Sequence, residues 1–321
     1  MTTQDAAIAA AGFGVSVGHA TNEVGATGCT VIRGTTDPLR ASGFAFGRAT
    51  GTRESVLLEP WASNDRVDAV LLTGGSAYGL DAAAGVMRWM EERGRGYAIA
   101  GGVVPIVPAA VVFDLAPLGS FAARPTAEMA YQACDSATPT GWVEGSVGAG
   151  TGCTVGKLYG PKHAMKGGLG VGLAGADVQA CAITVVNAVG HVRGSDGTII
   201  AGPRDPGAFG GIADSELIGM DRGLFIEPGA NTTISVVVMN RTYSKVELHR
   251  IARAASAAHA RRIGPAGTSY DGDIVFAVCR LDAPAGDPIR GEIAATAALE
   301  DAIVRAVRTA RGRDGVPGLA D

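Results

Sequence analysis

Pro228-Gly229-Ala230-Asn231-Thr232-Thr233 runs directly into Ile234-Ser235-Val236-Val237-Val238-Met239. Turn-forming small residues give way to a hydroxyl residue, which opens an apolar β-branched run of the kind that forms a buried strand. Thr232 gains a special chemistry if the bond before it is cut. Its hydroxyl is then a nucleophile, and its freed α-amine, with an ordinary pKa of about 8 against about 10.4 for lysine, is a base near neutral pH. Before the cut that nitrogen is an amide and has no such basicity. Asn231-Thr232 is therefore a candidate self-cleavage bond, and Thr232 a candidate nucleophile. Plain readings compete: threonine at a strand start is ordinary propensity, and Asn231-Thr232-Thr233, like Asn240-Arg241-Thr242, also fits a glycosylation acceptor.

Outward from this strand, Ser244 and Glu247 form a capping box for a helix reaching about Arg262, and residues 274–279 read as another buried strand. The pattern predicts a last helix over 292–311. On the N-terminal side, residues 167–173 and 180–186 read as strands, and the glycine- and proline-rich residues 201–229 as a long irregular connection that tolerates a chain break. Residues 12–32 suggest a hairpin, 55–59 and 67–73 further strands, and 81–93 a helix after the turn Gly74-Gly75-Ser76-Ala77-Tyr78-Gly79-Leu80. No repeat or linker divides the chain, so the sequence predicts one domain over 1–321.

Composition narrows the function classes. The 321 residues are 47% hydrophobic and 18% charged, with a formal net charge of −4 and no basic stripe. That gives no electrostatic case for nucleic acid or an anionic membrane. The apolar run 103–112 is too short to span a bilayer and contains Pro105 and Pro108. The N-terminal residues lack the basic start of a secretory signal, so a cytoplasmic location is expected. Five cysteines, an odd and widely spaced set, read as reduced core thiols, and neither they nor the five histidines show metal-ligand spacing. No metal or cofactor is expected. The 48 glycines, about twice average usage, fall between short apolar segments and imply tight turns and close backbone approaches.

Four further features bear on chemistry. The turn at residues 74–79 misses the spacing of a dinucleotide-binding loop, and Thr154-Val155-Gly156-Lys157-Leu158 fails two positions of a P-loop, leaving Lys157 as a lone lysine beside flexible backbone. Asn187 precedes Ala188-Val189-Gly190 at a strand end, where it is either a turn former or a donor to a developing oxyanion. Asp271 and Asp273 flank Gly272 ahead of a strand; residues two apart share a face, and close carboxylates raise the pKa of one of them. An Asp-Gly turn is the plain alternative.

Taken together, Gly14-Val15-Ser16-Val17-Gly18, the residue 74–80 turn, Gly156-Lys157, Val186-Asn187-Ala188-Val189-Gly190, Asn231-Thr232-Thr233-Ile234-Ser235 and Asp271-Gly272-Asp273 make the chain similar to a known family. It resembles the self-processing L-aminopeptidase/D-amidase-esterases, with the β-peptidyl aminopeptidases and the nylon-oligomer (6-aminohexanoate oligomer) endohydrolases, from Gly14 almost to the C-terminus. The resemblance implies an α+β fold, a four-layer αββα sandwich of the N-terminal nucleophile hydrolase kind. It also implies self-cleavage into 1–231 and 232–321, with Thr232 as nucleophile, Asn187 as oxyanion donor, and Lys157, Asp271 and Asp273 around the Thr232 amine. Tyr78 and Phe113 are expected to line the substrate site. Asn-Thr at the cut looks most like the nylon-oligomer branch, the aminopeptidase branches typically using serine. Where that branch carries tyrosine, Val112-Phe113-Asp114 places a phenylalanine, which cannot donate a hydrogen bond. A cofactor-independent amide hydrolase is expected, assembled as a homo-oligomer, commonly four processed units, with an aminopeptidase on short peptides or a non-catalytic small-molecule binder as alternatives.

Overall fold

The computed structural model describes Ile8, residues 12–204 and residues 231–321. Most of the expected connection 201–229 lies outside the described residues. Among the described residues, eleven strands form two large sheets: β1 (Val15–Asn22), β2 (Thr27–Gly34), β3 (Leu39–Ala45), β4 (Thr52–Arg53), β5 (Arg66–Val67), β6 (Ala69–Thr73), β7 (Ala109–Val111), β8 (Gly168–Gly175), β9 (Gln179–Asn187), β10 (Thr232–Met239) and β11 (Ile274–Cys279). The first sheet has the order β1-β2-β6-β7-β4, the second β8-β9-β10-β11-β3-β5. The α-helices laid out fully within the described residues are α1 (Ala83–Glu91), α2 (Ala127–Asp135), α3 (Lys245–Ala255), α4 (Ala257–Arg262) and α5 (Pro288–Arg308).

Three apolar cores stack between these layers. Val31 and Leu71 of the first sheet meet Val86 and Met90 of α1 and Ala130 and Ala133 of α2. Val17, Ile32 and Leu72 face Leu169, Ile183, Val236 and Phe276 across the gap between the sheets. The far side of the second sheet, with Val237, Val275 and Ala277, is covered by Leu248 and Ile251 of α3 and Leu299 and Ile303 of α5. Helix, sheet, sheet, helix is the expected four-layer order. Period-two alternation sorts the strand residues: Ile234, Val236 and Val238 of β10 face the other sheet, while Val237 and Met239 face the helices.

Several sequence expectations need correcting. Residues 55–59 are not a strand: Ser55–Leu58 is a 3-10 turn with Val56 exposed and only Leu58 buried, in the core between the sheets. The helix expected over 81–93 begins as a 3-10 turn (Ser76–Ala82) and is α-helical only from Ala83. The helix after Ser244 breaks at Ser256 into α3 and α4, although its capping box is present as expected. The last helix starts at Pro288 rather than 292, because Asp287 caps it by accepting from the Arg290 amide at 2.8 Å. Strand β3 and helix α2 were not anticipated. All five cysteines are buried and free.

Candidate active site

The site forms where the first residue of β10 meets the last residue of β9. The two strands are antiparallel and pair Thr232 directly with Asn187. Thr232 shares strand parity with Ile234, Val236 and Val238, which sends its side chain toward the space between the sheets. Asn187 shares parity with Ile183 and Val185 and points the same way. Both are buried, Thr232 at 4% exposure and Asn187 at 0%.

Asn187 is held from three directions. Its side-chain NH2 donates to the Phe113 carbonyl at 2.8 Å, and its Oδ1 accepts from the Thr154 amide and the Lys157 ammonium, each at 3.0 Å. Lys157 also donates to the Asn187 backbone carbonyl at 3.2 Å. Lys157 is thus no solvated surface charge. Phe113 contributes its carbonyl to this bond, a group that replacing tyrosine by phenylalanine leaves unchanged.

The aspartates arrive from the loop before β11. Asn231 bridges Asp271 in parallel fashion, and the 271–273 backbone is tied on its other side to residues 46–49: the Asp273 carbonyl accepts from the Phe46 and Gly47 amides and the Asp271 carbonyl from the Ala49 amide. The Asp273 carboxylate accepts from the Thr233 amide at 2.7 Å and the Gly267 amide at 3.1 Å. Burial first, and the charge of Asp271 second, push Asp273 up to about 7. Asp271 accepts from the Thr268 amide at 2.7 Å. It too is raised by burial, while its bonds to Thr268 and the charge of Lys157 pull it back. The aspartates precede the strand rather than lying in it, so their convergence comes from this two-sided tethering.

At the bond before Thr232, the Thr232 hydroxyl donates to the Asn231 carbonyl oxygen at 2.5 Å. The same oxygen accepts from the Gly272 amide at 2.9 Å. Five predicted residues, Thr232, Asn187, Lys157, Asp271 and Asp273, are therefore brought together around Asn231-Thr232. Tyr78 is not part of this contact set: it is half-exposed, with the Arg124 guanidinium 3.5 Å over its ring. Its turn reaches the site through the segment that carries Phe113, the Ser76 amide donating to the Val112 carbonyl at 3.0 Å and the Gly75 amide to Asp114 at 2.6 Å. Asp114 is buried and pushed up to about 6 by that burial, and its carboxylate also accepts from the Thr27 hydroxyl of β2 at 2.7 Å. Only its position beside Phe113 hinted at it. Among the described residues no cluster of His, Cys, Asp and Glu has the arrangement of a metal site. No helix among them is long and apolar enough to cross a membrane.

Comparison with known proteins agrees with this architecture. The chain is 42% identical over 287 residues to an uncharacterized aminopeptidase of Mycobacterium leprae, covering 82% of this chain and 76% of that protein. It is 31% identical over 273 residues to the 6-aminohexanoate-oligomer endohydrolase of Agromyces sp., covering 83% and 72%. Among solved structures, a β-aminopeptidase of Burkholderia sp. superimposes with a TM-score of 0.69 over 95% of this chain and 88% of that one, at 19% identity. The L-aminopeptidase D-Ala-esterase/amidase of Ochrobactrum anthropi, described as a variant of the Ntn hydrolase fold, gives 0.67 over 93% and 85%, at 21% identity. The sequence model of Peptidase family S58 matches residues 13–320. The chain belongs to Peptidase family S58, as an amide-bond hydrolase with the Ntn hydrolase fold.

Proposed function

We propose that this hydrolase cuts its own chain between Asn231 and Thr232 and then uses Thr232 as an N-terminal nucleophile. The observation that carries the reading is the Thr232 hydroxyl resting 2.5 Å from the carbonyl oxygen of the bond to be cut, inside a cluster of two aspartates, a lysine and an asparagine. In the first reaction the Thr232 oxygen adds to the Asn231 carbonyl carbon, the C–N bond breaks and the nitrogen takes up a proton, leaving an ester. Water then adds to that ester, the C–O bond breaks, and the hydroxyl regains its proton. The products are a 231-residue piece ending in Asn231 and a 90-residue piece starting at Thr232 (321 − 231 = 90).

In turnover the freed α-amine takes the hydroxyl proton as the oxygen attacks a substrate amide. The leaving amine departs with a proton, and water releases the acid from the acyl-enzyme. Asn187 and backbone amides hold the oxyanion. Lys157, Asp271 and Asp273 set the charge around the amine, with the raised Asp273 suited to sharing a proton near neutral pH. The substrates are linear amide oligomers, such as 6-aminohexanoate oligomers, or short peptides, and the working form is a homo-oligomer of processed units in the cytoplasm. An aminopeptidase acting on short peptides is the second reading, favoured by the 42% identity to a protein named as one. Hydrolysis of aminoacyl p-nitroanilides but not of blocked amide oligomers selects it.

Intact-mass measurement tests the core of the proposal. Purified protein is expected as two pieces, and Thr232→Ala as one inactive full-length chain. An uncut protein that hydrolyses amides would sink the mechanism.

A further inference from the structure

We infer that the backbone amide of Gly272 is a catalytic group: it is the hydrogen-bond donor that stabilises the oxyanion formed on the Asn231 carbonyl during self-cleavage, and it then serves substrate carbonyls in the same way. The inference rests on the self-cleavage reading above. It adds a donor that side-chain inspection does not reveal.

Three observations carry it. First, the amide already donates to the carbonyl oxygen of the bond to be cut, at 2.9 Å. When the Thr232 oxygen adds to that carbon, the negative charge collects on the very oxygen this N–H addresses, so the bond strengthens as the transition state is approached. Second, the amide is immobilised before any reaction. Gly272 lies between Asp271 and Asp273, whose carbonyls accept from Ala49 on one side and from Phe46 and Gly47 on the other, while their carboxylates are tied to Thr268, Thr233 and Gly267. A donor fixed in this way needs no reorganisation at the moment of reaction. Third, the residue has no room for a side chain: a Cβ on Gly272 would stand 2.8 Å from the Thr232 hydroxyl oxygen and 2.8 Å from the Ala49 carbonyl oxygen. Glycine lets the nucleophile and the donor address one carbonyl together. Because the donor is a backbone N–H, every residue other than proline at this position would still carry it.

The same donor must act in turnover. After the cut Thr232 Oγ keeps its place at the start of β10, and a substrate carbonyl attacked by it presents its oxygen where the Asn231 oxygen lay.

The test replaces Gly272 by glycolic acid in the full chain, so that the link after Asp271 becomes an ester without an N–H but with the same shape. Self-cleavage, followed by intact mass, is expected to slow by about 10² to 10³-fold, as loss of one oxyanion donor does elsewhere. Once fully cut on long incubation, the ester enzyme is expected to show a kcat reduced by a similar factor with KM little changed. Gly272→Ala, which keeps the N–H but crowds the hydroxyl, is the companion variant. An ester chain that folds and cuts at the parent's rate overturns the inference, all the more if Gly272→Ala is slowed. A parent chain that never cuts removes the underlying reading and this inference with it, so the two failures are told apart by the parent alone.

Discussion

Asp273 is a carboxyl group that folding places where its charge is unwelcome. Its pKa of about 7 in the folded chain lies above the ordinary value of about 3.9 in the unfolded one, so the native state binds more protons than the unfolded state between those values. This contribution therefore lowers stability as pH rises through that window, by up to about 1.4 kcal/mol per pH unit for one proton, and the penalty is fully present above it. In an uncut Thr232→Ala background, Asp273→Asn is expected to flatten the loss of stability between about pH 4 and about pH 7, measured by urea unfolding. Equal pH slopes in the two proteins would refute the assignment. At this scale the sequence was informative about side chains: Thr232, Asn187, Lys157, Asp271 and Asp273 were each named from it and meet in space. It was silent about the Phe113 carbonyl and the Thr154 and Gly272 amides, which complete the site. Backbone groups are common to every residue type, so only the fold reveals which of them face the chemistry.

Close backbone contact explains much of the glycine content at the level of elements. Gly168, Gly170 and Gly172 occupy alternate positions of β8, and a Cβ on them would run into the carbonyls of Ala306, Ala302 and Ala298 of α5 respectively. Two strand residues advance about 6.7 Å and four helix residues about 6 Å, so strand glycines and helix carbonyls stay in step along the contact. Gly170→Ala is expected to lower stability by about 1–3 kcal/mol, or prevent folding, through overpacking. Gly102→Ala, where a Cβ would meet nothing, is the control and should change little. Denaturant unfolding of the Thr232→Ala chain with each change compares them. Equal effects would show that glycine flexibility, not space, matters at Gly170. Elements with strong apolar periods, such as β10, β11 and α5, were legible in advance. Strand β3 was not, because Ala41, Ser42 and Gly43 read as loop residues and become strand only by pairing with β11. Residues 55–59 failed in the opposite sense, having strand composition but folding as a 3-10 turn that rests on β3 through the Ser42 hydroxyl, which donates to the Leu58 carbonyl at 2.6 Å.

For the whole molecule, layer order and family membership were legible because many weak motifs agreed, whereas assembly and substrate depend on surfaces that carry no motif. The strand order β8-β9-β10-β11-β3-β5 has a further consequence. If the chain is cut before Thr232, β10 and β11 belong to the shorter piece and are flanked on both sides, by β9 and by β3, with strands of the longer one. The shorter piece cannot leave without breaking two rows of backbone hydrogen bonds and uncovering the core beneath α5. Processed protein is therefore expected to stay paired in gel filtration at any working dilution. Separation of its pieces without denaturant would contradict this. Refolding is another matter: the uncut chain brings β9 and β10 together within one molecule, while separated pieces must meet by diffusion. A cut at this bond would then act as a ratchet, easy to pass once the sheet has formed and hard to retrace after the sheet is lost.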